Sequence, residues 1–150
     1  MYRVVGFTGT RFDVTKPQGK MLRQIVQIIK PKEGQHGDCV GADATMHRIL
    51  RNSKCRITIR PPNDDSERAF CQGANRVMMP KAHLARNRDI VDNSDVLVAT
   101  PRTVEEELRS GTWATIRYAR KRFLPIIIID PVGKVTTENI RLNSIMDQIK

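Results

Sequence analysis

Apolar and polar positions along this chain switch repeatedly between two periods. Tyr2–Thr8 (YRVVGFT) is a mostly apolar run ending at Gly9, the pattern of a buried strand. Residues 17–30 then carry Met21, Leu22, Ile25, Ile28 and Ile29 at helical spacing; Pro17 suits a first helical turn and Pro31 a stop. A short second strand is weakly signalled near Gln35-His36, and Gly41 to about Ser53 reads as a helix packing Ala44, Met46, His47, Ile49 and Leu50. Arg56–Arg60 (RITIR) alternates as a half-buried strand should, and Pro61-Pro62 ends it. Residues 63–80 read mostly as loop, with a helical turn around Ser66–Gln72. His83–Asn93 reads as a helix, Asp95–Thr100 as a strand, Thr112–Phe123 as a helix and Pro125–Asp130 as a fully buried strand. The tail, 136–149, reads as a helix packing Ile140, Ile145 and Met146.

Strands that alternate with helices, two of them continuously apolar, imply a parallel sheet covered on both faces. With right-handed crossovers this is a doubly wound α/β domain of about five strands. Ligands in such folds sit beyond the carboxyl ends of the strands, near the reversal of strand order. The loops that leave each strand are therefore the ones to read for chemistry.

Composition changes this picture only in part. A length of 150 residues suits one domain and excludes a two-domain enzyme. No apolar run reaches the roughly 18 residues of a membrane span, and Met1-Tyr2-Arg3 leads straight into the first strand, so a cytoplasmic protein with no membrane partner is expected. Cys39, Cys55 and Cys71 lack CxxC spacing, and His36, His47 and His83 form no HExxH pattern, so reduced thiols are expected and no metal or cofactor. The net charge is +10, and residues 1–60 alone hold twelve basic and four acidic side chains. Seventeen arginines against nine lysines suit a phosphate-bearing partner, because the guanidinium fork grips phosphate oxygens in pairs. Net charge alone does not separate a nucleotide from nucleic acid. Trp113 and Phe123 read as core residues, which leaves little for stacking on bases.

Four loops carry candidate chemistry. Thr8-Gly9-Thr10-Arg11 offers a tight turn, two hydroxyls and a cation; it also suits a plain turn with an exposed Arg. His36-Gly37-Asp38-Cys39-Val40-Gly41-Ala42-Asp43 runs into a helix start, where backbone N–H groups can face an anion. It lacks the GK[ST] of a P-loop and the GxGxxG dinucleotide motif. Asp38 and Asp43 suit either capping of orphan N–H groups or acceptance from ribose hydroxyls, and Cys39 suits a small filler more than a nucleophile. In Arg86-Asn87-Arg88-Asp89, Arg86 can pair with Asp89 on the helix surface, while Asn87 offers both a donor and an acceptor for a sugar or base edge. Ser110-Gly111-Thr112 enters a helix and makes either a second anion cradle or an ordinary N-cap. Glu105, Glu106 and Glu107 just upstream read as a solvated turn from which one carboxylate could fold over a ligand.

The combination VVGFTGTR (4–11), HGDCVGAD (36–43), RNRDIVDNSDVLVATP (86–101) and SGTWATIRYARK (110–121) resembles the SLOG superfamily, which includes the LONELY GUY phosphoribohydrolases and the Rossmann-like domain of the DNA-processing protein DprA. The resemblance covers residues 3–130 and leaves 131–150 as an extension. It implies a Rossmann-like fold, a homodimer or higher homo-oligomer, and a nucleotide-like small molecule bound at these loops. By position, Gly9, Thr10 and Arg11 would line the cleft. Gly37, Gly41, Ala42 and Asp43 would form its floor. Arg86 and Asn87 would reach the sugar or base, and Ser110, Gly111 and Thr112 the phosphate.

One departure bears on turnover. The LONELY GUY motif PGGxGTxxE supplies a catalytic Glu, and here the aligned stretch places Thr115 at that position and Leu108-Arg109 at the glycine pair. Threonine does not ionise near neutral pH and cannot replace a carboxylate in proton transfer. The leading expectation is recognition without turnover, in a sensor, carrier or sequestering protein, with the catalytic residues unknown. The alternatives are hydrolysis or transfer at a nucleotide N-glycosidic bond, with Asp43, Asp13 or Glu107 standing in, and DprA-like single-stranded DNA binding.

Overall fold

The computed structural model describes residues 2–140. Its elements run β1 (Val4–Gly9), α1 (Lys16–Ile29), β2 (Glu33–His36), α2 (Ala42–Asn52), β3 (Arg56–Ile59), β4 (Arg76–Val77), α3 (His83–Asp92), β5 (Val96–Thr100), α4 (Gly111–Lys121), β6 (Ile126–Ile129) and β7 (Val135–Glu138). They form one sheet in the order β4-β3-β2-β1-β5-β6-β7. Every pairing is parallel except the last, in which β7 runs antiparallel to β6. From β1 the chain builds outward to β4, then returns to the other side of β1 with β5, so the strand order reverses between β1 and β5. This is the Rossmann-like, doubly wound α/β class.

Alternation along the strands divides the core in two. Val5, Phe7, Val96, Val98, Ile127 and Ile129 face α1 and α2 and pack on Leu22, Ile25, Met46 and Leu50. Leu97, Ala99, Ile126 and Ile128 face the other way, against Ile90, Trp113 and Ile116 of α3 and α4. Thr15 caps α1 in a reciprocal box with Gln18, and Gln18 Nε2 donates onward to the carbonyls of Pro101 and Ile129. That buried amide joins the first helix to the ends of β5 and β6.

Four sequence expectations are corrected. Among the described residues the sheet has seven strands rather than about five. The added β4 lies in the stretch read as loop, and its two residues join the sheet through backbone pairing to β3 while both stay exposed, so no apolar alternation marks them. The helical turn expected around Ser66–Gln72 is a short 3₁₀ turn at Asp65–Glu67. The start of the expected tail helix is instead β7: Asp130 Oδ1 accepts from the N–H groups of Val132 and Lys134, closing a turn that folds Val135–Glu138 back onto β6. Residues 141–150 of that expected helix lie outside the described residues. Phe123, read as core, is 81% exposed in a turn after α4. No helix among the described residues is long and apolar enough to cross a membrane.

Candidate functional site

β1 and β5 are paired out to Gly9 and Thr100. Beyond their carboxyl ends lies a cleft of about 610 Å³, at the reversal of strand order where doubly wound folds take ligands. One wall is the loop after β1, with Thr8, Gly9, Thr10, Arg11 and Phe12. A second is α3, with His83, Leu84, Arg86 and Asn87, and a third is the segment from Arg102 through Glu107 and Arg109 to Ser110, Gly111 and Thr112. Gly37, Cys39 and Asp43 reach it from the loop between β2 and α2. The loops singled out in the sequence thus meet at one place.

Asp38, Gly41 and Ala42, also predicted for the site, are not among the lining residues. Asp38 is fully buried and engaged elsewhere, accepting from Arg68 Nε at 2.7 Å and from the Cys71 N–H at 2.9 Å. Gly41 and Ala42 act one layer out. Ala42 N–H donates to the Thr10 carbonyl, and Gly41 lies directly under the backbone of Arg11 and Phe12. Gly41 has φ 95° and ψ −125°, a conformation open only to glycine, and a Cβ there would collide with the Arg11 carbonyl. Gly41→Ala is expected to cost about 1–3 kcal/mol through backbone strain alone and more through the collision. A thermal melt reads this directly, and a variant as stable as the parent would refute the role given to Gly41.

Arg86 differs most from its expected role. It does not pair with Asp89, which is held by Lys81 at 2.6 Å. Its guanidinium is buried: Nη1 donates to the carbonyls of Gly37 and Arg60, Nε to Asn87 Oδ1 at 2.8 Å, and Nη2 lies 3.0 Å from His83 Nδ1 and 3.6 Å from Cys39 Sγ. Gly37 carries no side chain because Arg86 fills the space where a Cβ would stand. The arginine therefore holds the cleft floor together. By occupying Asn87 Oδ1 it also leaves the Asn87 amide nitrogen as the group that can donate outward.

Asp43 is the buried carboxyl of the cleft. It sits in the first turn of α2 and accepts from the N–H groups of Cys39, at 3.1 Å, and Gly37. Burial raises its pKa to about 6, against the opposing pull of Arg86 and these N–H groups. Burial also raises the Cys39 thiol, with Asp43 adding to the effect, so Cys39 is no activated nucleophile. Thr115, at the position of the LONELY GUY Glu, is buried and donates from Oγ1 to the Gly111 carbonyl of its own helix. Glu106 is held by Arg117 and Arg120, and Glu107 remains as the acidic group of the third wall, 4.0 Å from Arg102.

At the start of α4, Ser110 caps the helix by accepting from Trp113 N–H. The N–H groups of Gly111 and Thr112 belong to a first turn, which has no intrahelical acceptors for them. A Cβ on Gly111 would meet nothing within 4 Å. The exposed arginines Arg11, Arg102 and Arg109 line the same cleft.

Phe12, Leu84, Arg102 and Arg109 line the cleft and were not singled out in the sequence. Arg102 follows the end of β5 directly, so the rule that ligands sit beyond strand ends would have found it. Phe12 adjoins Arg11 but resembles any apolar residue in a string.

Histidines that lie apart in sequence also meet. His36 Nε2 and His47 Nδ1 are 2.9 Å apart, and Cys71 Sγ lies within 4.8 Å of both rings' ligand atoms. His36 Nδ1 accepts from Asp38 N–H, so its proton is on Nε2 and passes toward His47 Nδ1; His47 Nε2 then donates to the Gln72 carbonyl. Each ring's lone pair is taken by a protein donor, so the cluster is a closed chain of hydrogen bonds and does not offer a ligand set to an ion.

The cleft thus lies at the strand reversal of a Rossmann-like, doubly wound sheet. No protein-family model and no curated protein matches the chain. Solved structures share its fold. They include the molybdenum cofactor binding protein from Rippkaea orientalis, with TM-score 0.66 and 17% identity over 87% of this chain and 77% of that one. The Moco carrier protein from Chlamydomonas reinhardtii aligns with TM-score 0.65 and 18% identity over 89% of this chain and 77% of that one. DprA from Streptococcus pneumoniae aligns with TM-score 0.63 and 17% identity over 98% of this chain but 57% of the DprA chain.

Proposed function

We propose that this protein binds a phosphorylated, nucleotide-like small molecule in the cleft and acts as a carrier or sensor rather than as a catalyst. The carrying observation is the open first turn of α4 at Gly111-Thr112, with three exposed arginines against Glu107 as the unburied acid of the lining. A helix N-terminus and arginine forks are complementary to phosphate. The cofactor-binding and carrier proteins of similar fold support a carried ligand, and make the molybdenum cofactor one candidate beside the nucleoside phosphates.

The test is calorimetric titration with nucleoside 5′-mono- and diphosphates and with molybdenum cofactor. Binding is expected for at least one, with affinity falling as salt rises. Arg109→Ala is expected to lower it about tenfold, the worth of one charge-assisted hydrogen bond. Gly111→Val places bulk where no protein atom stands and is expected to block binding without loss of stability. Failure of the whole set to bind would overturn the proposal.

A second reading, cleavage of a nucleotide N-glycosidic bond, is favoured only by Asp43, a cleft-lining carboxyl titrating near 6. Release of free base from nucleoside monophosphates, lost in Asp43→Asn, would establish it. Binding to single-stranded DNA oligomers in preference to mononucleotides would instead favour a nucleic-acid role.

A further inference from the structure

The wall that begins at Arg11 has an unexpected component. Phe12 is a large apolar side chain left 54% exposed, and it lines the cleft instead of joining either core cluster. Its position is fixed by backbone contacts. Thr10 Oγ1 donates to the Phe12 carbonyl at 2.7 Å, Ala42 N–H donates to the Thr10 carbonyl, and Gly41 packs beneath the same turn. The guanidinium carbons of Arg11 and Arg102 stand over the ring, 5.8 and 5.6 Å from its centroid. An aromatic ring on a hydrogen-bonded turn, with guanidinium groups over it, presents the mixed aromatic and cationic surface on which flat heteroaromatic rings stack. Across the cleft on α3, Asn87 has its oxygen tied to Arg86 and its amide nitrogen left to donate.

We infer that Phe12, together with the Arg11 and Arg102 guanidinium groups over it, is the stacking platform for a flat heteroaromatic ring, and that Asn87 donates to a ring nitrogen or carbonyl of the same group. The inference rests on the phosphate-binding reading of this cleft and narrows its ligand to a phosphorylated heteroaromatic compound, excluding a bare sugar phosphate. Discrimination then lies in Phe12 and Asn87, and anchoring in the α4 first turn and Arg109.

The experiment compares nucleoside 5′-monophosphates of the four bases, molybdenum cofactor and ribose 5-phosphate by calorimetry against the parent, Phe12→Ala, Phe12→Trp and Asn87→Ala. The parent is expected to bind its preferred ring-bearing ligand at least tenfold more tightly than ribose 5-phosphate. Phe12→Ala is expected to erase most of that preference and leave ribose 5-phosphate unchanged, while Phe12→Trp retains it. Asn87→Ala is expected to weaken the ring-bearing ligand severalfold with the same indifference to ribose 5-phosphate. If Phe12→Ala weakens ring-bearing and ring-free ligands equally, the residue only shapes the loop and the inference is overturned. It is also overturned if the preference survives in Phe12→Ala, or if the parent binds ribose 5-phosphate as tightly as any ring-bearing ligand. Absence of binding by every phosphorylated compound overturns the phosphate reading itself, a different result from any of these.

Discussion

Replacing Arg86 by Met is expected to cost about 3–5 kcal/mol of stability, the scale for removing one member of a buried charged network. Arg86 is 5% exposed and donates to the Gly37 and Arg60 carbonyls and to Asn87, so its loss strands two buried carbonyls from separate loops and releases the half-buried Asn87 oxygen. It also removes the positive charge that opposes the burial of Asp43, so the Asp43 carboxyl should rise further. Arg86→Lys keeps a charge but has no planar fork, and three acceptors set around a plane cannot all be met by a single ammonium. It is therefore expected to recover less than half of the loss. Urea unfolding of the three proteins at pH 7.5 reads these differences. A change below 1 kcal/mol in Arg86→Met would show that the guanidinium serves a bound ligand rather than the fold.

The same residue shows where sequence reading reaches its limit. The apolar runs at β1, β5 and β6 are legible because a strand buried on both faces must be apolar throughout, and their loops converge because a doubly wound sheet brings its carboxyl ends to one edge. Arg86 lies in that convergence, and in a string a cleft arginine and a floor arginine are identical. Only the three-dimensional return of Gly37 and Arg60 to its side chain assigns it inward. Asp38 is a comparable case, since its partners Arg68 and Cys71 come from a stretch without periodicity. Phe123 faces outward despite its apolar character, which carries no direction at a helix end, where φ 56° turns the chain. β4 and β7 are edge strands, and edge pairing asks for backbone donors and acceptors rather than for an apolar face.

Acidification is expected to draw down the stability contributed by His36, a group outside the cleft chemistry, with Asp43 offsetting the loss between pH 4 and 6 and the net loss falling below pH 4. In the fold His36 is fully buried, accepts at Nδ1 from Asp38 N–H and donates from Nε2 to His47. A second proton would have to enter at Nδ1, against an N–H already pointing there. Burial, helped by His47, accordingly lowers its pKa from 6.5 to about 3. Between these values the unfolded chain binds a proton that the native state refuses, so the stability His36 contributes is complete above pH 6.5 and drains away as pH falls toward 3, by up to about 4 kcal/mol. Asp43 acts in the opposite sense. Its native pKa of about 6 exceeds the 3.8 of the unfolded chain, so its contribution is greatest below pH 3.8 and is lost as pH rises through 6. Stability should therefore change gently with pH between 4 and 6 in the parent and steeply below 4. Asp43→Asn removes the opposing group and should steepen the upper part of the curve. His36→Asn keeps an acceptor near Asp38 N–H but loses the bond to His47, so at pH 7.5 it is expected to cost about 1–3 kcal/mol. Having no proton to refuse, it keeps only the Asp43 contribution, which grows as pH falls toward 3.8, so the gap between the two curves should close toward pH 4. Nitrogen-15 shifts of the imidazoles test the cause independently of stability. His36 should remain the neutral Nε2–H form down to pH 4.5, and a transition to imidazolium near pH 6 would refute the closed chain of rings and the pH dependence built on it.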